Sequence, residues 1–256
     1  MSSVNVVPPE SYIGARALGV FPDRTLLVGA WKRVSAAQDV PITYRDSVAL
    51  LRYGADGRYL DSVGTYAYSE TYAERWGRGG QLYLELPLGR KAAVAVHGWH
   101  FYLLNDSASA VLMVDTAGSV LRTVPKDGVP APAPLDDGEI ARVRELIASR
   151  FPAHLGVRGI ADRVPIERQA APIGWAGKRP LSILRVDALG NTWIMEFGGV
   201  RSSSPVWTVL LDDGTVRARL TAGAGMDILD ADGEWALVRR WDAHDAEHLE
   251  LRPVSW

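Results

Sequence analysis

Short alternating runs of apolar and polar residues, each closed by a tight turn, repeat along most of the chain. Ser47–Tyr53 leads through Ala55-Asp56-Gly57 into Arg58–Val63. Ala110–Asp115 leads through Thr116-Ala117-Gly118 into Ser119–Val124, and Val206–Leu211 through Asp212-Asp213-Gly214 into Thr215–Leu220. Period-two alternation buries one face of a strand, and a glycine in the turn supplies the positive φ that reverses the chain. A second hairpin precedes each of these. Ala15–Phe21 turns into Thr25–Trp31, Ala92–Val96 into His100–Asn105, and Leu181–Val186 into Asn191–Phe197. Met226–Leu229 then turns into Glu234–Asp242, followed by a single run, His248–Val254.

Paired hairpins make a four-stranded antiparallel meander, the unit of a propeller blade. The pattern therefore predicts an all-β chain, a single β-propeller domain over 1–256 with four recognisable blades. Blade 1 covers about 15–65, blade 2 about 92–125, blade 3 about 181–221 and blade 4 about 226–254. Blade 4 is one strand short. Ser3–Val7 alternates and has no other employment, so it is expected to pair with His248–Val254 and cover the exposed edge. Two stretches interrupt the repeat. Tyr66–Lys91 holds Trp76-Gly77-Arg78-Gly79-Gly80 and room for one extra strand, Gln81–Leu86. The insertion 126–180 opens with a proline-rich linker and carries one helix from Asp136 to about Arg150. Asp136 and Glu139 make its capping box, and Ile140, Val143 and Ile147 its apolar stripe.

Composition trims the functional classes. The 256 residues contain no cysteine, which removes disulfide frameworks, thiolate metal sites and a cysteine nucleophile. A net charge of −2 argues against a nucleic-acid binder. No uncharged apolar run approaches the ~18–20 residues of a membrane span, and the amino-terminal residues lack a signal-peptide pattern. The default expectation is a soluble, cytoplasmic protein, with export of a longer precursor still compatible.

The runs Leu50–Gly64, Leu184–Trp193 and Val206–Gly214 resemble the third and fourth strands of bacterial six-bladed β-propellers, in the style of NHL-repeat and gluconolactonase-like proteins. Such proteins usually carry six blades and this chain supplies four. A small closed ring, a fragment of a longer ring and a homodimer that completes the assembly all follow from that shortfall. The resemblance specifies fold and leaves function open.

Alternating hairpins send the short turns to one end of every blade and the long links to the other, so a ligand site is expected at the loop-rich end. That end gathers Asp46, Asn105, Asp106, Arg201, Trp241 and Asp245 as candidate ligand-binding residues. Oxygen donors around a channel suit calcium, and Asp227, Asn105 and Asp242 are the candidate metal ligands. Gluconolactonase-like propellers hold such an ion, so the resemblance implies an alternative to plain small-molecule or protein binding. In that alternative, a calcium-assisted hydrolase of lactones or phosphotriester-like esters uses His244 or Asp242 as base. The His244-x-x-x-His248 spacing does not by itself make a metal pair, because the blade pattern turns the segment into a loop. Trp193, Trp207 and Trp235 are expected in the packing between blades.

Overall fold

Sixteen strands and one helix make up the described part of the protein. The computed structural model describes residues 5–32, 42–76, 80–86, 91–104, 110–126, 137–150, 181–196, 204–223, 225–242, 244 and 246–254. The first sheet has five antiparallel strands in sequence order: β1 (Tyr12–Val20), β2 (Leu26–Lys32), β3 (Ile42–Tyr53), β4 (Tyr59–Trp76) and β5 (Gly80–Glu85). The second has four: β6 (Ala93–His97), β7 (His100–Leu104), β8 (Ala110–Asp115) and β9 (Val120–Pro125). The helix α1 (Asp137–Arg150) lies in the long insertion. The third sheet is β10 (Leu181–Val186), β11 (Thr192–Glu196), β12 (Val206–Leu210) and β13 (Val216–Thr221). The fourth has three strands: β14 (Met226–Ala231), β15 (Trp235–Trp241) and β16 (Glu247–Pro253).

Every paired hairpin read from the sequence is present. Tyr66–Lys91, expected as an interruption, is largely ordered sheet: β4 runs on to Trp76, and β5 adds the extra strand. Tyr66-Ala67-Tyr68-Ser69-Glu70-Thr71-Tyr72 alternates with aromatic residues, which suits a half-buried strand more than a loop. The helix forms where expected; its cap residue Asp136 and the side chains of Glu139, Val143 and Ile147 lie outside the described residues.

The sheets stack face to face in chain order. Phe21, Leu27 and Leu50 of the first sheet pack against Phe101, Leu103 and Val114 of the second. Leu104 and Val111 meet Leu184, Ile194 and Leu210 of the third, and Trp193, Trp207 and Val209 meet Ile228, Ala236 and Val238 of the fourth. The leading strand of each sheet lies beside that of the next, β6 against both β1 and β10, and β10 against β14. Two turn glycines seal this stacking. Gly118, between β8 and β9, abuts the Val63 carbonyl of the first sheet, and a Cβ on it would overlap that oxygen. Gly214, between β12 and β13, repeats the contact one sheet later, where a Cβ would lie 2.5 Å from the Pro125 carbonyl oxygen.

The fourth sheet differs from the expectation at its edge. Among the described residues no strand pairs with the outer side of β16. Asn5–Val7, the described part of the expected closing strand, is not extended sheet. Val6 instead packs with Val28, Ala30, Leu51 and Tyr53 on the far face of the first sheet, and the Tyr53 hydroxyl donates to the Val7 carbonyl at 3.2 Å. That face is strongly apolar and must be covered, so it takes Val6 from the segment that the last edge was expected to hold. Trp235 also departs from expectation. It opens β15 on the side facing away from the third sheet and is 46% exposed, whereas Trp193 and Trp207 are fully buried.

Candidate functional site

The turns β1–β2, β3–β4, β6–β7, β8–β9, β10–β11, β12–β13 and β14–β15 are all short and all leave from one end of the sheets. The long links leave from the other. Three groups of described side chains deserve comparison as sites: a platform on the first sheet, a charged group on the leading strands, and the end of the fourth sheet.

The platform exists because β3 and β4 outrun their hairpin and take on β5. Between Arg45 and Ser47 the register slips, so that Asp46 alone faces Tyr68 and Ser69 and lies opposite a β-bulge of β4. Bulges re-aim a side chain and recur beside functional sites. Thr71 Oγ1 donates to Asp46 Oδ2 at 2.8 Å, and Tyr44 donates to the same carboxyl. Burial pushes the Asp46 carboxyl above its ordinary range and the nearby Glu85 charge pushes the same way, while the Thr71 and Tyr44 hydrogen bonds oppose them. Burial and the Asp46 charge together push the Tyr44 phenol to about 12, so it stays protonated and remains a donor at neutral pH. Glu85 is directly opposite Thr71 and pairs with Lys91 at 2.6 Å. The Lys91 ammonium also lies over the Tyr68 ring, which meets Trp31 edge to face. Tyr83 completes the row, half-exposed and hydrogen-bonded to Gln81. Of the residues singled out from sequence, Asp46 is the one this platform frames. Thr71 and Glu85 lie in the stretch that reads as an interruption and Tyr44 ahead of the expected strand start at Ser47; the aromatic alternation of Tyr66–Tyr72 is the signal in the sequence that marks the longer strand.

The leading strands carry the second group. Arg185 of β10 donates through Nε to the Leu229 carbonyl at 3.0 Å and through a terminal nitrogen to Leu184. Burial lowers its pKa, and the charges of Asp227 and Asp230 on β14 oppose that, while Arg16 and Arg239 add to it. Asp227 is bound by Arg239 at 2.9 Å, whose guanidinium stacks on Trp241 at 4.5 Å from the ring centroid.

At the end of the fourth sheet, Asp242 organises the link from β15 to β16. One carboxylate oxygen accepts from the backbone of His244 and Ala246 at 2.8 and 3.0 Å, and the other meets His248 Nε2 at 3.0 Å. These three bonds, the His248 one first, hold the carboxyl down to about 2. His244 is an exposed turn residue, and the His-x-x-x-His spacing spans a turn followed by strand.

The calcium reading finds little support in this chemistry. Asp227 is committed to Arg239 and Asp242 to its own turn. Asp242 lies three positions beyond Arg239, the residue opposite Asp227, or roughly 10 Å at about 3.4 Å per residue. Guanidinium groups beside a carboxylate oppose a divalent cation. Among the described residues no three histidine or acidic side chains gather as metal ligands. The described members of the set do not fit the ion. Asn105, Asp106, Arg201 and Asp245 lie outside the described residues. Among those described, no helix is long and apolar enough to cross a membrane.

No protein-family model matches the chain, and a comparison with curated proteins returned no relative. Among solved structures, the chain is similar to the crystal structure of a protein of unknown function from Bacteroides caccae. The two are 11% identical with a TM-score of 0.37, over 94% of this chain and 60% of that one. The match thus spans about 60% of that protein's length.

Proposed function

We propose that the protein is a propeller-type binding module that takes a small polyhydroxylated ligand, such as a glycan, at the loop-bearing end of its first sheet. The propeller reading is supported by four consecutive antiparallel sheets with adjacent leading strands. The equivalent turn-glycine contacts at Gly118 and Gly214 add to it, since they repeat one packing relation from sheet to sheet. The binding reading rests on one observation above the others: Asp46 is a half-buried carboxyl opposite a bulge of β4, framed by Tyr44 and Thr71 and set beside Glu85.

A sugar presents many hydroxyl donors and an apolar ring face. Asp46 and Glu85 supply acceptors for the first, and the exposed ring of Tyr83 supplies a stacking surface for the second. An unbound carboxyl disfavoured by burial gains when a ligand brings hydroxyl donors to it, so part of its desolvation is offset on binding.

The test is a glycan array followed by calorimetry on the ligands found. Asp46→Asn keeps the shape and one acceptor, and it should weaken binding by about tenfold or more, on the order of 1.5–3 kcal/mol for hydrogen bonds to a charged group. Intact wild-type protein that retains no glycan, or an Asp46→Asn variant that binds as well as wild type, would overturn the reading.

A further inference from the structure

We infer that β16 is the contact by which two copies of this chain associate, edge to edge and antiparallel, into one continuous six-stranded sheet. The second and third sheets have four strands where the fourth has three, and the vacant position is on the outer side of β16 among the described residues. This inference is independent of the ligand reading above.

The hydrogen-bond phase of the edge follows from its two ends. Val254 N–H donates to Glu234 C=O at 2.7 Å and Asp242 N–H to Ala246 C=O at 3.1 Å. The β15–β16 register carries no bulge. In an antiparallel ladder the bonded pairs alternate, so His248, Glu250 and Arg252 direct their backbone groups at β15. Glu247, Leu249 and Leu251 direct theirs outward, and Pro253 ends the run with no N–H to offer.

The side chains on the same edge are those of an interface. Leu249 and Leu251 are 61% and 69% exposed, on the face that also holds Leu237 and Trp235 and turns away from the third sheet. Neighbouring apolar side chains on a bare sheet edge are what proteins usually avoid unless something pairs there. The described part of the amino-terminal segment is already engaged on the first sheet through Val6 and Val7.

Charge selects the occupant and the register. A two-fold axis at Leu249 sets Leu249 against Leu249 of the second copy and Glu247 against its Leu251, all with outward-facing backbone groups. The same register sets His248, whose imidazole also meets Asp242, against Glu250 of the second copy, which Arg240 and Arg252 of its own chain hold. Moving the axis to Glu250 also pairs the outward groups, but it opposes Glu250 to Glu250 and His248 to Arg252. Directly opposed like charges destabilise a strand pair, so the first register is favoured. The strand is thus self-complementary in the way an isologous interface requires.

A chain without cysteine makes this testable at single-residue resolution. In the Leu249-centred register the two Leu249 Cα atoms form a bonded pair about 5.5 Å apart, within disulfide reach. The two Leu251 Cα atoms are four positions apart along the ladder, roughly 13 Å, and out of reach. Wild type should sediment as a dimer, and Leu249→Cys should give a disulfide-linked dimer on mild oxidation while Leu251→Cys does not. The double variant Leu249→Lys, Leu251→Lys should sediment as a folded monomer with an unchanged circular dichroism spectrum. Wild type that remains monomeric at its highest soluble concentration overturns the inference. So does a dimer that survives the lysine pair, or one that cross-links through Leu251→Cys instead of Leu249→Cys.

Discussion

Asp187 offers the sharpest test of how these sheets are held. It lies in the turn between β10 and β11, is 1% exposed, and accepts four hydrogen bonds. One carboxylate oxygen takes the backbone N–H groups of Leu189 and Asn191 at 3.0 and 2.8 Å. The other takes the Asn191 side-chain amide at 2.8 Å and the indole N–H of Trp193 at 3.0 Å. Trp193 in turn packs between the third and fourth sheets. Asp187→Asn preserves volume and can keep the first oxygen, but its amide nitrogen then faces two donors. Each buried donor that loses its acceptor costs about 1–3 kcal/mol, and the easier burial of a neutral amide returns part of that. A net loss of about 2–4 kcal/mol follows. At roughly 2–4 °C per kcal/mol for a chain of this size, the melting temperature should fall by about 5–15 °C. Asp115→Asn is the matched control. Asp115 makes the same two backbone bonds in the β8–β9 turn, to Ala117 and Ser119, but in an exposed setting with no indole attached. It should cost about 1 kcal/mol or less. Urea melts at constant m-value would report both. Equal midpoints for the two variants would refute the claim that the buried indole bond, rather than the turn itself, carries the difference.

Gly118→Ala and Gly214→Ala should each destabilise by about 2–4 kcal/mol, because both combine a positive φ with a Cβ driven into a neighbouring sheet's carbonyl. Gly98→Ala, with φ of 55° and open space around it, should lose only about 1 kcal/mol in the same thermal melts. Asp242 has a folded-state pKa below its unfolded value, so its contribution is full above about pH 4 and is lost as the pH falls towards 2. Wild type and Asp242→Ala should therefore differ in melting temperature at neutral pH and converge near pH 2; a constant gap would refute the assigned contacts. Asp46 has the opposite sign. Its carboxyl is raised, so the folded state is favoured at low pH and loses that advantage as the pH rises through the raised pKa. Asp46→Asn should consequently be as stable as wild type or more so at pH 7 while losing ligand, a pairing of effects that a purely structural aspartate would not give.

The strand pattern of this protein is written locally. Asp-Gly and Ala-Gly turns between alternating runs determine where hairpins such as β3–β4, β8–β9 and β12–β13 reverse, and Gly57, Gly118 and Gly214 adopt the positive φ that this requires. The side to which the short turns go follows from strand parity, and it too was readable. The candidate site was legible only in part. Asp46 stood out as a carboxylate at a strand's loop-bearing end, but the groups that give it character, Tyr44, Thr71 and Glu85, depend on β4 continuing past its hairpin and on the register of β5. Register is a relation between strands and has no local code. The same holds for Asp227, an oxygen donor near a strand's start that reads as a candidate metal ligand; only the β14–β15 register sets Arg239 opposite it.

What the sequence determined by itself, then, is the order of the hairpins and the place where each reverses, because alternation and turn chemistry act within about ten residues. What only the tertiary structure decided is how the ends of the chain are used. Val6 was free by its pattern to join either the last strand or another apolar surface. The far face of the first sheet, with Val28, Ala30 and Leu51, exists only once three strands have assembled. Burying it is a gain that no local signal in Ser3–Val7 records, and among the described residues it leaves β16 with its outward N–H groups and two exposed leucines.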